Sequence, residues 1–332
     1  MKNFFKNKKI LITGATGSFG NKCLEVLFKN YKPEKVVVFS RDELKQFELS
    51  KKYPEEAYPI RYFIGDVRDK DRLCRACVNI DIIIHAAAMK RITASEYNPT
   101  ECISTNILGA QNVISAAIEN NVDRVIALST DKAANPVNLY GATKLCSDKL
   151  FVSANNLVGK KNTRFAVVRY GNVISSRGSV IPFFKELIRD GAKKLPITDK
   201  RMTRFVITLD EGVNFVFNSL KSMAGGEIFV PKLPSIRIIE IVDILLGKNL
   251  YDIIGIRAGE KLHEVMIPIE EARNCIELKD KFIIIPQLSW WNLKSLDKSV
   301  RKLGKRVDDS FEYTSDKNTQ WLSQKELKKI LK

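Results

Sequence analysis

A phenol and an ammonium four residues apart, Tyr140 and Lys144, have the spacing in this chain best suited to chemistry. On a helix they share one face, a turn apart. A nearby ammonium stabilises phenolate, so the pair predicts a tyrosine able to exchange a proton near neutral pH. Just upstream, Ser129-Thr130-Asp131-Lys132 follows the apolar run Val125–Leu128. Open α/β sheets hold their sites at the carboxyl ends of strands. Thr130 can therefore bond a substrate oxygen, while Asp131 and Lys132 supply a possible acid and a possible base. A simple dehydrogenation has no obvious use for that second pair. The plain alternative is that Asp131 caps a turn and Lys132 is solvated.

Y-x-x-x-K is common by chance and gains its meaning from the N-terminus. There the apolar run Ile10-Leu11-Ile12 leads into Thr13-Gly14-Ala15-Thr16-Gly17-Ser18-Phe19-Gly20. Glycines at 14, 17 and 20, after a strand and before a helix, let backbone approach a pyrophosphate and let helix pack on strand. The helix N-terminus then faces the phosphates with free N–H groups and its positive dipole end. The predicted dinucleotide contacts are Thr13, Gly14, Thr16, Gly17, Ser18, Phe19 and Gly20, with Tyr140 and Lys144 at the nicotinamide end. The next strand ends Phe39-Ser40-Arg41. A hydroxyl and a guanidinium there suit a 2′-phosphate, so Ser40 and Arg41 predict NADP. The alternative gives the ribose to Asp42 or Glu43. Asp66 and Val67 are expected near the adenine. Ala86, Ala87 and Ala88 are expected to line the cofactor, with His85 beside them in the core.

These residues need a frame. Apolar, β-branched runs at Lys9–Thr13, Lys35–Ser40, Ile60–Ile64, Ile80–Ala86, Arg124–Leu128 and Phe165–Tyr170 alternate with helical patterns at Asn21–Asn30, Arg41–Lys52, Lys70–Cys77, Thr100–Asn120 and Leu139–Leu157. That rhythm predicts an α/β fold, a Rossmann-type doubly wound parallel sheet with a smaller α/β substrate-binding lobe. Residues 1–172 form the predicted NADP-binding Rossmann domain, with a return segment at about 203–230. Residues 173–202 and 231–332 form the substrate lobe and C-terminal tail. In that second part, Ser175–Gly178 reads as a polar turn and Ile181–Asp190 as a helix. Pro196–Met202 reads as a loop, and Thr208–Glu211 as a capping box opening a helix to about Lys221. A strand (Glu227–Val230), a helix (Ile238–Leu246) and a strand (Phe282–Pro286) follow. Trp290, Trp291 and Trp321 are the expected packing anchors of the tail.

Composition narrows the classes. No apolar run reaches the ~20 residues of a membrane helix, and the N-terminus lacks the apolar core of a signal peptide, so a cytoplasmic protein without membrane partners is expected. Net charge is +17. The lysines are spread along helices without an arginine-rich stripe, which predicts no nucleic-acid partner and a field favourable to anionic substrates. Cys74 and Cys77 make a C-x-x-C without a second pair at finger spacing, so no metal is predicted.

The chain resembles the nucleotide-sugar branch of the extended short-chain dehydrogenases/reductases. More narrowly, it is similar to the inverting UDP-N-acetylglucosamine 4,6-dehydratases that begin pseudaminic acid synthesis for surface glycosylation. The likeness runs nearly end to end. It includes the glycine loop, Ser129–Lys132 with Asn135-Pro136, Tyr140–Lys144, Arg169-Tyr170-Gly171-Asn172-Val173, Arg204-Phe205 and Gly255-Ile256-Arg257-Ala258-Gly259-Glu260-Lys261. The resemblance implies that Tyr140 takes the C4 hydroxyl proton while hydride passes to NADP+. Lys132 then removes the C5 proton, and Asp131 protonates the departing C6 hydroxyl. Hydride returns to C6, and reprotonation inverts C5. It also implies substrate contacts from Asn172, Arg204, Arg257 and Glu260, with Lys90 and Arg91 near the sugar. A homo-oligomer paired through Thr100–Asn120 and Leu139–Leu157 is expected as well.

Overall fold

The computed structural model describes residues 4–174, 179–286 and 304–331. The expected turn at Ser175–Gly178 and the anchors Trp290 and Trp291 lie outside the described residues.

The first half alternates strand and helix: β1 (Lys9–Thr13), α1 (Ser18–Asn30), β2 (Lys35–Ser40), α2 (Glu43–Lys52), β3 (Ile60–Ile64), α3 (Lys70–Ala76), β4 (Ile82–His85), α4 (Ile92–Tyr97), α5 (Pro99–Ile103), α6 (Gly109–Glu119), β5 (Arg124–Thr130), α7 (Leu139–Ala154) and β6 (Arg164–Tyr170). Strands β1, β2 and β4 are apolar along nearly their whole length and buried on both faces, as a helix-covered parallel sheet requires. Helix starts are set by side-chain caps. Asp42 accepts from Lys45 N, Asp69 from Arg72 N and Asn138 from Gly141 N.

The strands run β3-β2-β1-β4-β5-β6 and are continued by Ile228–Pro231, all parallel. Lys281–Ile284, Cys275–Glu277 and Lys305–Arg306 extend that sheet antiparallel. Chain order reverses between β1 and β4, which opens a crevice at their carboxyl ends. Register aligns Thr13 with His85 and Thr130 with Tyr170, so the glycine loop and the Thr130–Lys132 turn emerge on the same edge.

A second apolar cluster lies beyond the sheet, built from Ile174, Phe184, Leu195, Met202, Val206, Ile241 and Leu327 among others. Around it stand a three-stranded sheet (Asn172–Val173, Thr203–Ile207, Ser235–Arg237) and the helix Gln324–Leu331. Two expectations are corrected here. The segment read as a loop at Pro196–Met202 begins inside a strand, Leu195–Ile197, which pairs with Tyr251–Ile253. Leu195 and Ile197 point into the cluster, and Pro196 is tolerated because only one side is paired. The helix read across Thr100–Asn120 carries a π segment at Ser104–Leu108. Among the described residues, no helix is long and apolar enough to cross a membrane.

Candidate active site

The glycine loop fits a dinucleotide. Gly14 has φ +66°, and a Cβ there would lie 2.8 Å from Ala87 N, so a side chain would push the loop off β4. Gly17 is exposed and caps α1 without a side-chain bond, so the N-terminus of that helix opens beside the glycine loop. Ala86, Ala87 and Ala88 follow β4 across the crevice. Thr13 is placed differently from expectation. Its hydroxyl accepts from Ala86 N and Ala87 N, both at 3.2 Å, and lies 2.8 Å from His85 Nδ1. It ties β1 to the turn after β4 rather than facing the crevice. His85 is core, as expected, and burial followed by the Lys144 charge pushes its pKa down to about 3.

At the ribose end, Thr16 Oγ1 and Ser40 Oγ are 2.9 Å apart and both residues are buried. Arg41 is exposed and lies 3.8 Å from Asp66 Oδ2. Asp42 is committed to capping α2 and to an ion pair with Lys45. Asp66 accepts from Arg68 and lines, with Arg68, Asp69, Ser104 and Leu108, an open cleft of ≈ 440 Å³. Val67 is buried beside it.

The catalytic candidates converge. Gly141 lets α7 start against the β5 turn: a Cβ there would lie 2.2 Å from Lys132 O. Thr130 Oγ1 donates to Asp131 Oδ1 at 2.9 Å. Lys132 Nζ donates to Asp131 Oδ1 at 3.0 Å and to Asn172 Oδ1 at 3.1 Å. Glu264 Oε1 lies 3.2 Å from the same ammonium. Asp131 is fully buried, and its Oδ2 has no partner among the described residues. Burial, then the Glu264 charge, hold Asp131 above the usual carboxylate range, against Lys132 and Thr130. Burial opposes the Lys132 charge, but Asp131 and Glu264 outweigh it and hold that ammonium above its ordinary value. The pair is therefore a buried ion pair, not a capped turn with a solvated lysine.

The expected acidification of Tyr140 by Lys144 is corrected. Burial pushes the phenol up to about 12, and the cation that pulls against this is Lys132, aided by the Thr130 hydroxyl. Lys144 is itself buried, which holds it below the usual ammonium range while Asp148 resists.

The expected substrate residues divide. Asn172 joins the Lys132 network. Arg257 and Glu260 sit on the 255–261 loop, 3.8 Å apart, and Glu260 also accepts from Thr198 Oγ1 at 3.2 Å. Asn138 Nδ2 donates to Gly259 O at 2.7 Å and ties that loop to the start of α7. Lys90 lies near Lys132, and burial, Arg91 and Lys132 hold it below its usual value. Arg204 turns inward. Its fork donates to Thr203 O, Leu262 O and Lys261 O, and its Nε faces Glu264 at 3.4 Å, so four of its five N–H groups are committed before any phosphate arrives.

Sequence reading missed several contributors. Asn106, in the π segment, bonds Met89 N and O and Thr143 Oγ1, fixing the turn after β4 against α7. Arg169 is fully buried, bonded to Met266 O and Glu271 and 3.5 Å from Asp148, which accepts from Ser129. Glu264 follows three residues after the recognised run ending at Lys261; its acidity was the available signal. Cys74 and Cys77 stay thiols, pushed up to about 11 and about 12, mainly by burial. Trp321 is a partly exposed platform under Arg237 rather than a core anchor.

A doubly wound sheet with a glycine-loop dinucleotide cradle and a Tyr–Lys helix defines an extended short-chain dehydrogenase/reductase. The chain belongs to the polysaccharide biosynthesis protein family, whose model matches residues 10–286. It is 56% identical over 330 residues, 98% of each chain, to a Campylobacter jejuni subsp. jejuni serotype O:2 protein named UDP-N-acetylglucosamine 4,6-dehydratase (inverting). Among solved structures it is similar to Pen from Bacillus thuringiensis, with TM-score 0.87 and 38% identity over 99% of this chain and 98% of that one. Its fold is shared with DesIV, a dTDP-glucose 4,6-dehydratase from Streptomyces venezuelae solved with NAD and TYD bound. There the TM-score is 0.69 and the identity 22%, over 88% of this chain and 96% of that one.

Proposed function

We propose that this chain is a C5-inverting UDP-N-acetylglucosamine 4,6-dehydratase, a hydro-lyase that uses NADP. The observation that carries this reading is the buried Asp131–Lys132 pair beside Tyr140, an acid and a base additional to those a plain oxidation needs. The similarity to the inverting dehydratase over nearly the whole chain supports the substrate and the stereochemistry.

The cradle Gly14–Gly20, braced by Thr13, would hold the dinucleotide together with Ser40, Arg41, Asp66, Val67 and Ala86–Ala88. A nicotinamide held there would supply reversible hydride chemistry, with oxidation at C4 offset by reduction at C6, so no net oxidation would occur. Arg41 would meet the 2′-phosphate, for which it is exposed while Asp42 is occupied. Tyr140 must act as phenolate, a form that burial opposes and that the Lys132 charge and the Thr130 hydroxyl favour; it then accepts the C4 hydroxyl proton, and Thr130 steadies O4. The C4 ketone acidifies the C5 hydrogen. Lys132 must then be a neutral amine and Asp131 a protonated acid, and a single proton shift along their 3.0 Å hydrogen bond creates that state from the ion pair. Lys132 takes the C5 proton while Asp131 protonates the C6 hydroxyl, which leaves as water. This returns the pair to Asp131 carboxylate and Lys132 ammonium, the ion pair it started from. C5 is reprotonated on its opposite face by a solvent-derived proton, and Tyr140 releases to solvent the proton it took from O4, which closes the proton balance. Arg257, Glu260 and Lys90 serve the nucleotide and sugar, while Arg204 acts through Glu264.

Proton NMR of a reaction with UDP-N-acetylglucosamine tests this. The expected product is UDP-2-acetamido-2,6-dideoxy-β-L-arabino-hexos-4-ulose, with a new C6 methyl signal. A product that keeps its C6 hydroxyl and differs only at C4 would contradict the reading.

A further inference from the structure

Glu264 is 2% exposed and precedes the strand Val265–Ile267. Its Oε1 is 3.2 Å from Lys132 Nζ and 3.4 Å from Arg204 Nε, while Oε2 has no partner among the described residues. The far end of the chain clamps it. Glu264 N donates to Ser315 Oγ, and Ser315 N donates to Glu264 O, both at 2.9 Å. Lys132 already has a carboxylate at 3.0 Å in Asp131, so Glu264 is a second buried anion on one ammonium. Buried ion pairs are a poor source of stability compared with apolar packing. An unsatisfied buried oxygen calls for a functional reason.

We infer that Glu264 is a positioning residue of the acid/base pair: its buried carboxylate sets the pH window in which Asp131 and Lys132 share one proton. This rests on the dehydratase reading. The charged groups facing Glu264 are Lys132 and Asp131 from the turn after β5, Arg204 from the strand Thr203–Ile207, and Lys261 from its own loop. Tyr140 stands across Lys132. His263, next in the chain, turns away to Thr203 Oγ1 at 2.8 Å. Burial opposes the Glu264 charge, but Lys132, Arg204 and Lys261 hold its carboxyl below the usual range, so it stays anionic. Only the one-proton form of the pair can deliver an acid and a base together. Adding a proton removes the base; losing it removes the acid. A fixed anion beside both groups makes each protonation easier, so both edges of that window lie at higher pH than they would without it.

The test is kcat/KM against pH for the unsubstituted enzyme, Glu264→Gln and Glu264→Asp. Glu264→Gln should move the acid limb, set by Asp131, down by about one pH unit or more, with the basic limb moving the same way. Glu264→Asp keeps the charge and should keep the limb positions, whatever rate it loses. Limbs that stay in place in a folded, cofactor-binding Glu264→Gln overturn the inference alone. Absence of any 4-keto product from the unsubstituted enzyme overturns the dehydratase reading and this inference with it. Infrared spectra of protein labelled with 13C-carboxyl glutamate, differenced against Glu264→Asp, need no glutamine variant. A carboxylate band from Glu264 throughout the active pH range supports the inference. A protonated carbonyl band inside that range overturns it.

Discussion

Replacing Gly141 with alanine adds one methyl group at the joint between α7 and the catalytic turn. The added carbon would stand 2.2 Å from Lys132 O and 3.1 Å from Pro136 Cβ. An unstrained carbon–oxygen contact is about 1 Å longer than the first of these, so helix and turn must separate by roughly that amount. Overpacking of this kind costs about 1–3 kcal/mol. A chain of 332 residues unfolds with roughly 0.7 kcal/mol/K of entropy, so the melting temperature should fall by about 1.5–4 °C. The separation also draws Tyr140 away from Thr130 and Lys132, and a displacement near 1 Å can lower turnover about a hundredfold. Gly212 provides the comparison. It lies inside the helix Leu209–Ser222, and its added carbon would meet only Ile207 Cδ1 at 3.9 Å. Gly212→Ala should therefore gain roughly 0.5–1 kcal/mol from helix propensity. Calorimetry and product formation measure both variants. A Gly141→Ala enzyme that melts with the parent and turns over undiminished would refute the close-approach argument.

Lys132→Ala should still bind NADP+, followed by fluorescence titration, yet form no 4-keto product; unchanged turnover would remove Lys132 as the base. Arg41→Ala should weaken NADP+ binding by about tenfold to a hundredfold and leave NAD+ binding nearly unchanged, since only the former loses a charge-assisted bond. Arg169→Met leaves Asp148 and Glu271 without their buried partner and should cost about 3–5 kcal/mol in denaturant unfolding, far more than a surface arginine. His85, with a folded pKa of about 3 against 6.5 unfolded, takes up its proton mainly in the unfolded chain. Stability from this group is complete above pH 6.5 and falls by up to about 1.4 kcal/mol per unit as pH drops toward 3. The difference in unfolding free energy between the parent and His85→Gln should follow that slope.

The first half of the fold was legible because its signals are local. Ile10–Ile12 followed by three spaced glycines allows few structures other than a strand, a tight turn and a helix, and Asp42, Asp69 and Asn138 mark helix starts in place. Tyr140 and Lys144 were legible from their four-residue spacing. Electrostatic roles were not, because burial and long-range pairing decide them. Lys144 is four residues from the phenol, yet Lys132, brought in by the β5 turn, is the cation that acts on it. Arg204 reads as a phosphate ligand until the carbonyls of Lys261 and Leu262 are seen to occupy its fork. Glu264 gains its place only when Ser315, from the end of the chain, closes over it. Short strands such as Leu195–Ile197 carry too few residues for a period to show.

Conversion of UDP-N-acetylglucosamine in deuterated water, read by NMR, tests the central claim most directly. The account predicts a 4-keto-6-deoxy product with deuterium at C5 and the L-arabino configuration, because Lys132 removes that hydrogen and solvent-derived hydrogen replaces it on the other face. A product with protium at C5 and the starting configuration would contradict it.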